Sequence, residues 1–142
     1  MKNKVKLFLV DDDAVFLKLL SIEFQNAGDF EITTFPTGEL CLANLDLGPD
    51  VIILDYYLDG IQRDAMNGIV TLDEIKKTLP EVPVIMLSSQ DSIAVAIECM
   101  HHKATDYVIK SETALMRLMK VISDIFSVKK LEKQLDWYID FV

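Results

Sequence analysis

Short, mainly apolar runs alternate with longer amphipathic segments along this chain. Runs of this length, separated by helix-length segments, are typical of buried parallel strands joined by crossover helices. With a weaker strand at Glu31 to Phe35, five strands alternate with five helices, which predicts a doubly wound α/β sandwich with right-handed crossovers. Polar residues directly follow the other four runs: Asp11 and Asp12 after Val5 to Val10, Asp55 after Val51 to Leu54, Ser88 after Val82 to Leu87, and Lys110 after Tyr107 to Ile109.

Capping residues and apolar positions three or four residues apart define the helices. Gly28 suits the left-handed position that ends the first of them, and Ser, Thr and Asp are favoured N-cap residues. The predicted helices are Ala14 to Ala27 behind Asp13, Thr37 to about Leu45, Gly68 to Leu79, the segment after Asp91 and Ser92, and the segment after Ser111.

The fifth helix is expected to continue past the globular domain. Its last apolar residues follow the 3,4,3,4 spacing of a heptad seam, and they are Val128, Leu131, Leu135, Tyr138 and Val142. We therefore assign residues 1–128 to the domain and residues 129–142 to a helical extension. Three interpretations of the extension stay open: the start of a linker to an effector domain, a dimer contact, or a tail that folds back and buries Trp137.

Composition narrows the class of protein. With 142 residues, 51% of them hydrophobic, the chain suits one domain with a proper core. Its net charge of -9 disfavours direct contact with nucleic acid, because such contact draws on clustered lysine and arginine. The first apolar run stops at Asp11, too early for a signal peptide or a membrane span. We therefore predict a cytoplasmic protein in which Cys41 and Cys99 are buried thiols.

The polar strand endings predict a site for phosphoryl chemistry. Open parallel sheets bind ligands beyond the carboxyl ends of their strands, so these endings should converge. Each like-charge pair among Asp11, Asp12 and Asp55 would cost about 4 kcal/mol at an effective dielectric near 20. Such a cluster calls for a hard divalent cation, Mg²⁺ or Mn²⁺. Asp55 is then the candidate nucleophile toward phosphorus, with Ser88 and Lys110 as partners of the phosphoryl oxygens.

Taken together, LFLVDDD, VIILDYY, VIMLSS and DYVIK, in this order over roughly residues 4–128, resemble the receiver domain of two-component response regulators. The resemblance implies a flavodoxin-like sheet with strand order 2-1-3-4-5 and five flanking helices. It also implies a phosphorylation-dependent signalling switch. A histidine kinase or a phosphotransfer protein would supply the phosphoryl group. The face formed by helix four, strand five and helix five would report it to an effector domain or to a second copy.

The resemblance also assigns roles to the acidic residues. Asp55 corresponds to the phospho-acceptor and Asp12 to a direct ligand of Mg²⁺, while Asp11 would act through metal-bound water. The main-chain carbonyl of Tyr57 would complete the metal shell. The chain would then be no enzyme beyond its own phosphorylation and dephosphorylation.

The resemblance also assigns roles to residues outside the acidic cluster. Ser88 matches the switch hydroxyl, Lys110 the phosphate-binding lysine, and Tyr107 the aromatic residue that changes rotamer on activation. Tyr57 and Gln90 occupy positions that tune dephosphorylation. Because a bulky Tyr57 would hinder an attacking water, we expect a slow intrinsic loss of phosphate.

Two departures from the family pattern bear on the site. Ser111 replaces the proline that usually follows the lysine, so the Lys110–Ser111 bond is either cis, at a cost of about 2.5–4 kcal/mol, or trans with another route for the lysine. The loop Leu58 to Asn67 is longer than usual and is a candidate lid over the site. The acceptor region, the Lys-Ser junction and the helical extension are together similar to receivers at the front of sigma-54-dependent activators.

A phosphatase interpretation competes for the first strand. Asp11 to Val15 also fits the DxDx(T/V) signature of haloacid-dehalogenase-like phosphatases, with Asp11 as nucleophile and Asp13 as general acid. It leaves Asp55 without a role and lacks a later acidic motif. A receiver-shaped interaction module that is never phosphorylated is the third interpretation, and the complete set of acid, hydroxyl and lysine argues against it.

Overall fold

The computed structural model describes residues 4–60 and 64–141, without the side chains of residues 137, 138, 140 and 141. Five parallel strands form one sheet in the order β2-β1-β3-β4-β5, which confirms the predicted topology. The strands are β1 (Val5–Val10), β2 (Phe30–Phe35), β3 (Val51–Asp55), β4 (Val84–Ser88) and β5 (Asp106–Ile109).

Helices cover both faces of this sheet. One apolar core lies between the sheet and helices α1 and α5, and a second lies between the sheet and helices α2, α3 and α4. A 3-10 turn, Leu45–Leu47, follows the second helix. The helices are α1 (Ala14–Ala27), α2 (Gly38–Ala43), α3 (Gly68–Thr78), α4 (Ile93–His101) and α5 (Ala114–Phe141).

The central strands are buried over their whole length. All five residues of β3 and all five of β4 are buried, because helices exclude water from both faces of a doubly wound sheet. Alternate side chains of β3 enter opposite cores: Ile52 and Leu54 pack toward α2 and α3, while Val51 and Ile53 pack toward α1 and α5. Cys41 and Cys99 are buried free thiols, as predicted.

Side chains cap the helices much as the sequence indicates. Asp13 accepts hydrogen bonds from the backbone of Val15 and Phe16, and Thr37 and Ser92 cap α2 and α4 in the same way. Gly28 corrects one expectation: its φ of -174° is extended rather than left-handed, and its N–H still bonds the Phe24 carbonyl.

The last helix continues well past residue 128. α5 is continuous from Ala114 to Phe141, so the chain does not turn back after residue 128. The side chain of Trp137, which the fold-back interpretation would bury, lies outside those described. None of the described helices combines the length and apolar character that a membrane span requires. Apolar side chains from Val128 onward lie largely in solvent: Val128, Leu131, Leu135 and Ile139 are 53%, 63%, 60% and 65% exposed.

Gly68, at the start of α3, allows the chain to return against the end of β3. A methyl group at this position would lie 2.4 Å from the carbonyl oxygen of Asp55 and 2.7 Å from that of Tyr56. Both neighbours are backbone atoms, which cannot move aside without displacing the strand end. The same turn is closed by a hydrogen bond from the Gly68 N–H to the Tyr56 carbonyl.

We predict that Gly68→Ala lowers the free energy of unfolding by about 1 to 3 kcal/mol, the usual cost of overpacking, although alanine is the better helix former. Urea unfolding measures this loss. Gly28→Ala is the control, since its methyl group would meet the flexible edge of the Phe30 ring at 3.0 Å, and it should cost less. A Gly68→Ala protein as stable as the parent would contradict the close approach.

Candidate functional site

The carboxyl ends of the strands bring the candidate residues to one edge of the sheet. Asp11 and Asp12 follow β1, and Asp55 ends the neighbouring strand β3. Each of these three residues offers a carboxylate oxygen, and the three oxygens lie within 4.8 Å of one another. Ser88 ends β4, next along the sheet, and Lys110 follows β5. The structure therefore brings together the side chains that the strand endings predicted.

Lys110 forms ion pairs across this cluster. Its Nζ lies 2.7 Å from Asp11 Oδ2 and 3.4 Å from Asp55 Oδ2. Burial disfavours the ammonium charge, but the hydrogen bonds and charges of Asp11 and Asp55 outweigh it and raise the pKa of Lys110. The Lys110–Ser111 peptide is trans, as are all peptide bonds of the described residues, which decides between the two alternatives for this junction.

Asp11 is 2% exposed, and its two oxygens have different surroundings. Oδ1 accepts a hydrogen bond of 2.9 Å from the Asp13 N–H. Oδ2 forms an ion pair with the Lys110 ammonium at 2.7 Å. A carboxylate oxygen has two lone pairs, so an oxygen with one positive partner can accept a second.

The surroundings of Asp55 disfavour its ionised form. It is 3% exposed, and burial together with the nearby charge of Asp11 raises its pKa to about 7, although Lys110 partly opposes the shift. The Tyr57 N–H donates to Asp55 Oδ1 at 3.3 Å. The three carboxylates thus form an oxygen-only donor set, in which Asp11 and Asp55 are buried and Asp12 is half-buried, with too little positive charge, and such a set suits a hard divalent cation.

Ser88, at the end of β4, is connected to the end of β5. Its side chain is fully buried, and its hydroxyl oxygen accepts from the Gln90 N–H at 3.1 Å. The Tyr107 hydroxyl donates to the Gln90 carbonyl, while its ring packs against the core beneath α3 and α4. The Lys110 N–H donates to the Ser88 carbonyl at 2.7 Å. Four residues assigned by resemblance, Ser88, Gln90, Tyr107 and Lys110, are therefore connected through the backbone of residues 88–90.

Two contacts at the site were not predicted from the sequence. The Tyr56 hydroxyl, directly after Asp55, donates to the Glu98 carboxylate on α4, and this hydrogen bond raises the pKa of Tyr56. Phe16 on α1 places its ring face beneath the Lys110 ammonium, with Nζ 4.6 Å from the ring centroid. Its position in an apolar helix pattern predicted packing only, and no local signal relates it to Lys110.

The candidate lid passes close to the acidic cluster at one end. Leu58 is buried, and a methyl group on Gly60 would lie 3.3 Å from Asp12 Oδ2. At the other end, the Met66 N–H donates to the Glu39 carboxylate on α2 at 3.1 Å. Residues 61–63, among them Arg63, lie outside the described part of the chain. The loop thus approaches Asp12 through Gly60, and its role as a lid stays a prediction.

Comparison with known proteins agrees with this geometry. Residues 7–123 match the model of the response regulator receiver domain. The chain is 32% identical over 114 residues to a protein-glutamate methylesterase/protein-glutamine glutaminase of Clostridium acetobutylicum, covering 78% of this chain and 32% of that protein. It is 27% identical over 110 residues to the transcriptional regulatory protein ZraR of Salmonella typhimurium, covering 78% of this chain and 24% of that protein.

A solved structure gives the same result. The crystal structure of NtrX from Brucella abortus superposes with a TM-score of 0.80 at 27% sequence identity, over 94% of this chain and 29% of that chain. The chain thus spans about a third or less of the length of each of these relatives. The chain belongs to the response regulator receiver domain family, whose members are phosphorylation-dependent signalling switches.

Proposed function

We propose that Asp55 is the phospho-acceptor of this switch and that Mg²⁺ assists it. One observation carries the proposal: the buried Asp55 carboxylate shares its sheet edge with Asp11 and Asp12, and the Lys110 ammonium lies 3.4 Å from Asp55 Oδ2. An acid at the tip of a fully apolar strand is held rigidly, and the lysine beside it can bind a charged group that arrives there.

Asp12, Asp55 and the main-chain carbonyl of Tyr57 would hold the Mg²⁺, with Asp11 acting through a bound water. Mn²⁺ would serve the same donor set. When bound, the ion offsets negative charge on the carboxylates and on the incoming phosphoryl group. Support comes from the three carboxylate oxygens that lie within 4.8 Å of one another and from the raised pKa of Asp55.

Phosphorylation would join an Asp55 oxygen to phosphorus while the bond from phosphorus to the donor breaks. The donor atom, a histidine nitrogen of a kinase or phosphotransfer protein, leaves with the electron pair. Lys110 would bind one phosphoryl oxygen as a point charge, and the Ser88 hydroxyl would donate to another. Hydrolysis of the acyl phosphate returns the carboxylate.

The effect of the new dianion would be transmitted to the surface through the contacts around Ser88 and Tyr56. Drawing the Ser88 hydroxyl toward Asp55 disturbs the Gln90 segment that accepts the Tyr107 hydroxyl. Helix α4 is suited to respond, because Cys99 is its one buried residue. Apolar side chains on its outer side would form part of the output face, and these are Ile93, Ile97 and Met100, which are 78%, 52% and 48% exposed.

We assign residues 1–128 to the receiver and residues 129–142 to a helical connection to an effector domain or a second copy. The exposed apolar side chains of the extension support this assignment. The similar proteins include a methylesterase and a transcriptional regulator, so receivers of this kind occur with different effector activities. We place the protein in the cytoplasm, with no catalytic activity beyond its own phosphorylation and dephosphorylation.

The phosphatase alternative is not favoured by the contacts of its two acids. Asp13, its general acid, uses Oδ1 to accept from the backbone of Val15 and Phe16 and so caps α1. Asp11, its nucleophile, is held by Lys110 and by the Asp13 N–H. Asp55, with its raised pKa and its neighbouring lysine, is the carboxylate that the site presents.

Asp55→Asn should stabilise the metal-free protein at pH 8. The folded-state pKa of about 7 exceeds the ordinary 3.8, so ionisation of Asp55 opposes folding, fully above pH 7 and progressively less as the pH falls toward 4. A shift of this size corresponds to at most about 4 kcal/mol, and we expect on the order of 1 to 4 kcal/mol.

Urea unfolding at pH 8 and pH 5, without divalent cations, measures the difference between variant and parent. The exposed carboxylate variant Asp46→Asn is the control and should match the parent at both pH values. A difference that is absent at pH 8, or larger at pH 5, would contradict the burial of an ionised Asp55.

Incubation with acetyl phosphate and Mg²⁺ should label Asp55. We expect one aspartyl phosphate, located by borohydride trapping and mass spectrometry, which Asp55→Asn abolishes and Asp46→Asn retains. Chelation of Mg²⁺ should prevent labelling, because the carboxylate cluster then repels the donor. Label on Asp11 would overturn the proposal in favour of the phosphatase.

Tyr57→Asn should shorten the lifetime of the acyl phosphate. Tyr57 is 37% exposed beside Asp55, where its ring packs edge-on against that of Tyr56 at 4.8 Å and restricts the approach of water. Loss of label after removal of the donor gives the lifetime. Tyr57→Phe, which keeps the bulk of the ring, should behave as the parent does, and equal lifetimes for all three proteins would refute this role.

A further inference from the structure

We infer that Phe16 is a positioning residue that holds the Lys110 ammonium over the phospho-acceptor. The inference deepens the proposed function and rests on it. It begins from the ring face of Phe16, whose centroid lies 4.6 Å from Lys110 Nζ. A cation within about 6 Å of an aromatic centroid is attracted by the negative face of the ring.

The position of Phe16 is itself fixed by the acidic loop. Its N–H donates to Asp13 Oδ1 at 3.1 Å, and the Asp13 N–H donates to Asp11 Oδ1 at 2.9 Å. Asp11 Oδ2 pairs with Lys110 at 2.7 Å, and Lys110 lies over Phe16. These four contacts form a closed circuit from the end of β1 through α1 to the end of β5. A shift of the first turn of α1 would therefore move the lysine.

Lys110 needs such a support when the site is loaded. Its four-carbon side chain has about 2 kcal/mol of rotamer entropy, and its protein partners in the present structure are Asp11 and Asp55. Under the proposed function both of these acids face the metal ion or carry the phosphoryl group. The ring of Phe16 keeps its charge and its partner, so the ammonium depends on it more when the site is loaded than in the present structure, and the contact then contributes to the affinity for the phosphoryl group.

The sequence around Lys110 makes this support relevant. Because serine rather than proline follows the lysine, no proline ring stiffens the chain at this junction. The Lys110–Ser111 bond is trans. Orientation of the lysine must then come from the residues around its side chain. Its described contacts are the two carboxylates and the ring of Phe16.

Phe16 also packs against the core beneath α1 and α5, which is the ordinary role of such a residue. Leucine in its place would keep an apolar contact with this core but has no aromatic face. Tryptophan offers the strongest aromatic face for a cation. Phe24→Leu is the matched control, because Phe24 is a fully buried ring on the same helix that pairs with Phe30.

The first measurement is made on the metal-free, unphosphorylated protein. Proton resonances of the Lys110 ε-methylene group, observed by NMR, should be shifted upfield in the parent by the ring current of Phe16. The shift should be lost in Phe16→Leu, kept in Phe16→Trp and kept in Phe24→Leu. Absence of an upfield shift in the parent would overturn the inference and leave the proposed function intact.

The second measurement is the affinity for beryllofluoride, a mimic of the phosphoryl group, at saturating Mg²⁺. Phe16→Leu should weaken it by about two- to fivefold, the ratio that corresponds to a cation–π contact of about 0.5–1 kcal/mol. Phe16→Trp should equal or exceed the parent. Phe24→Leu should lower the free energy of unfolding without changing this affinity.

A parent-like affinity in Phe16→Leu, or a loss in Phe16→Trp as large as in Phe16→Leu, would overturn the positioning role. A parent protein that binds Mg²⁺ but no beryllofluoride would overturn the proposed function, and with it the inference. The ring-current measurement separates these failures, because it depends on neither ligand.

Discussion

Three carboxylates meet at one edge of the sheet, and the repulsion between them determines which positive groups the site needs. Asp11 and Asp55 are 2% and 3% exposed at the tips of adjacent strands, and Asp12 completes the cluster. Lys110 offsets part of their charge through ion pairs with Asp11 and Asp55. Burial, and after it the charge of Asp11, raises the pKa of Asp55 in spite of Lys110, so the compensation is incomplete. This remaining demand for positive charge is what suits the cluster to a divalent cation.

The fold keeps the carboxylates together in spite of this repulsion. Strands β3 and β4 are buried along their whole length, and helices cover both faces of the sheet, so a strand end cannot retreat without exposing apolar side chains. Hydrogen bonds then connect this edge to α4 and β5. The Tyr56 hydroxyl donates to Glu98 on α4, and the backbone of Gln90 bonds the hydroxyl groups of Ser88 and Tyr107. Under the proposed function, these are the contacts that transmit a change of charge at Asp55.

Sequence reasoning predicted the parts of this arrangement that are governed by local rules. Strand ends, the Asp13 cap and the length of α5 follow from apolar periodicity and capping chemistry. The prediction that Gly28 is left-handed was wrong, because a residue with extended backbone can also end a helix. Contacts of Phe16 with Lys110 and of Tyr56 with Glu98 join residues far apart in the chain, and their partners become known only once helix orientation and side-chain rotamers are fixed.

We propose that three carboxylates from two adjacent strand ends share one divalent cation, and anomalous diffraction from crystals grown with Mn²⁺ can locate that ion. We expect a single strong peak within about 2.5 Å of carboxylate oxygens of Asp12 and Asp55, with Asp11 close by. A cation bound elsewhere, or no peak at this edge of the sheet at millimolar Mn²⁺, would contradict it.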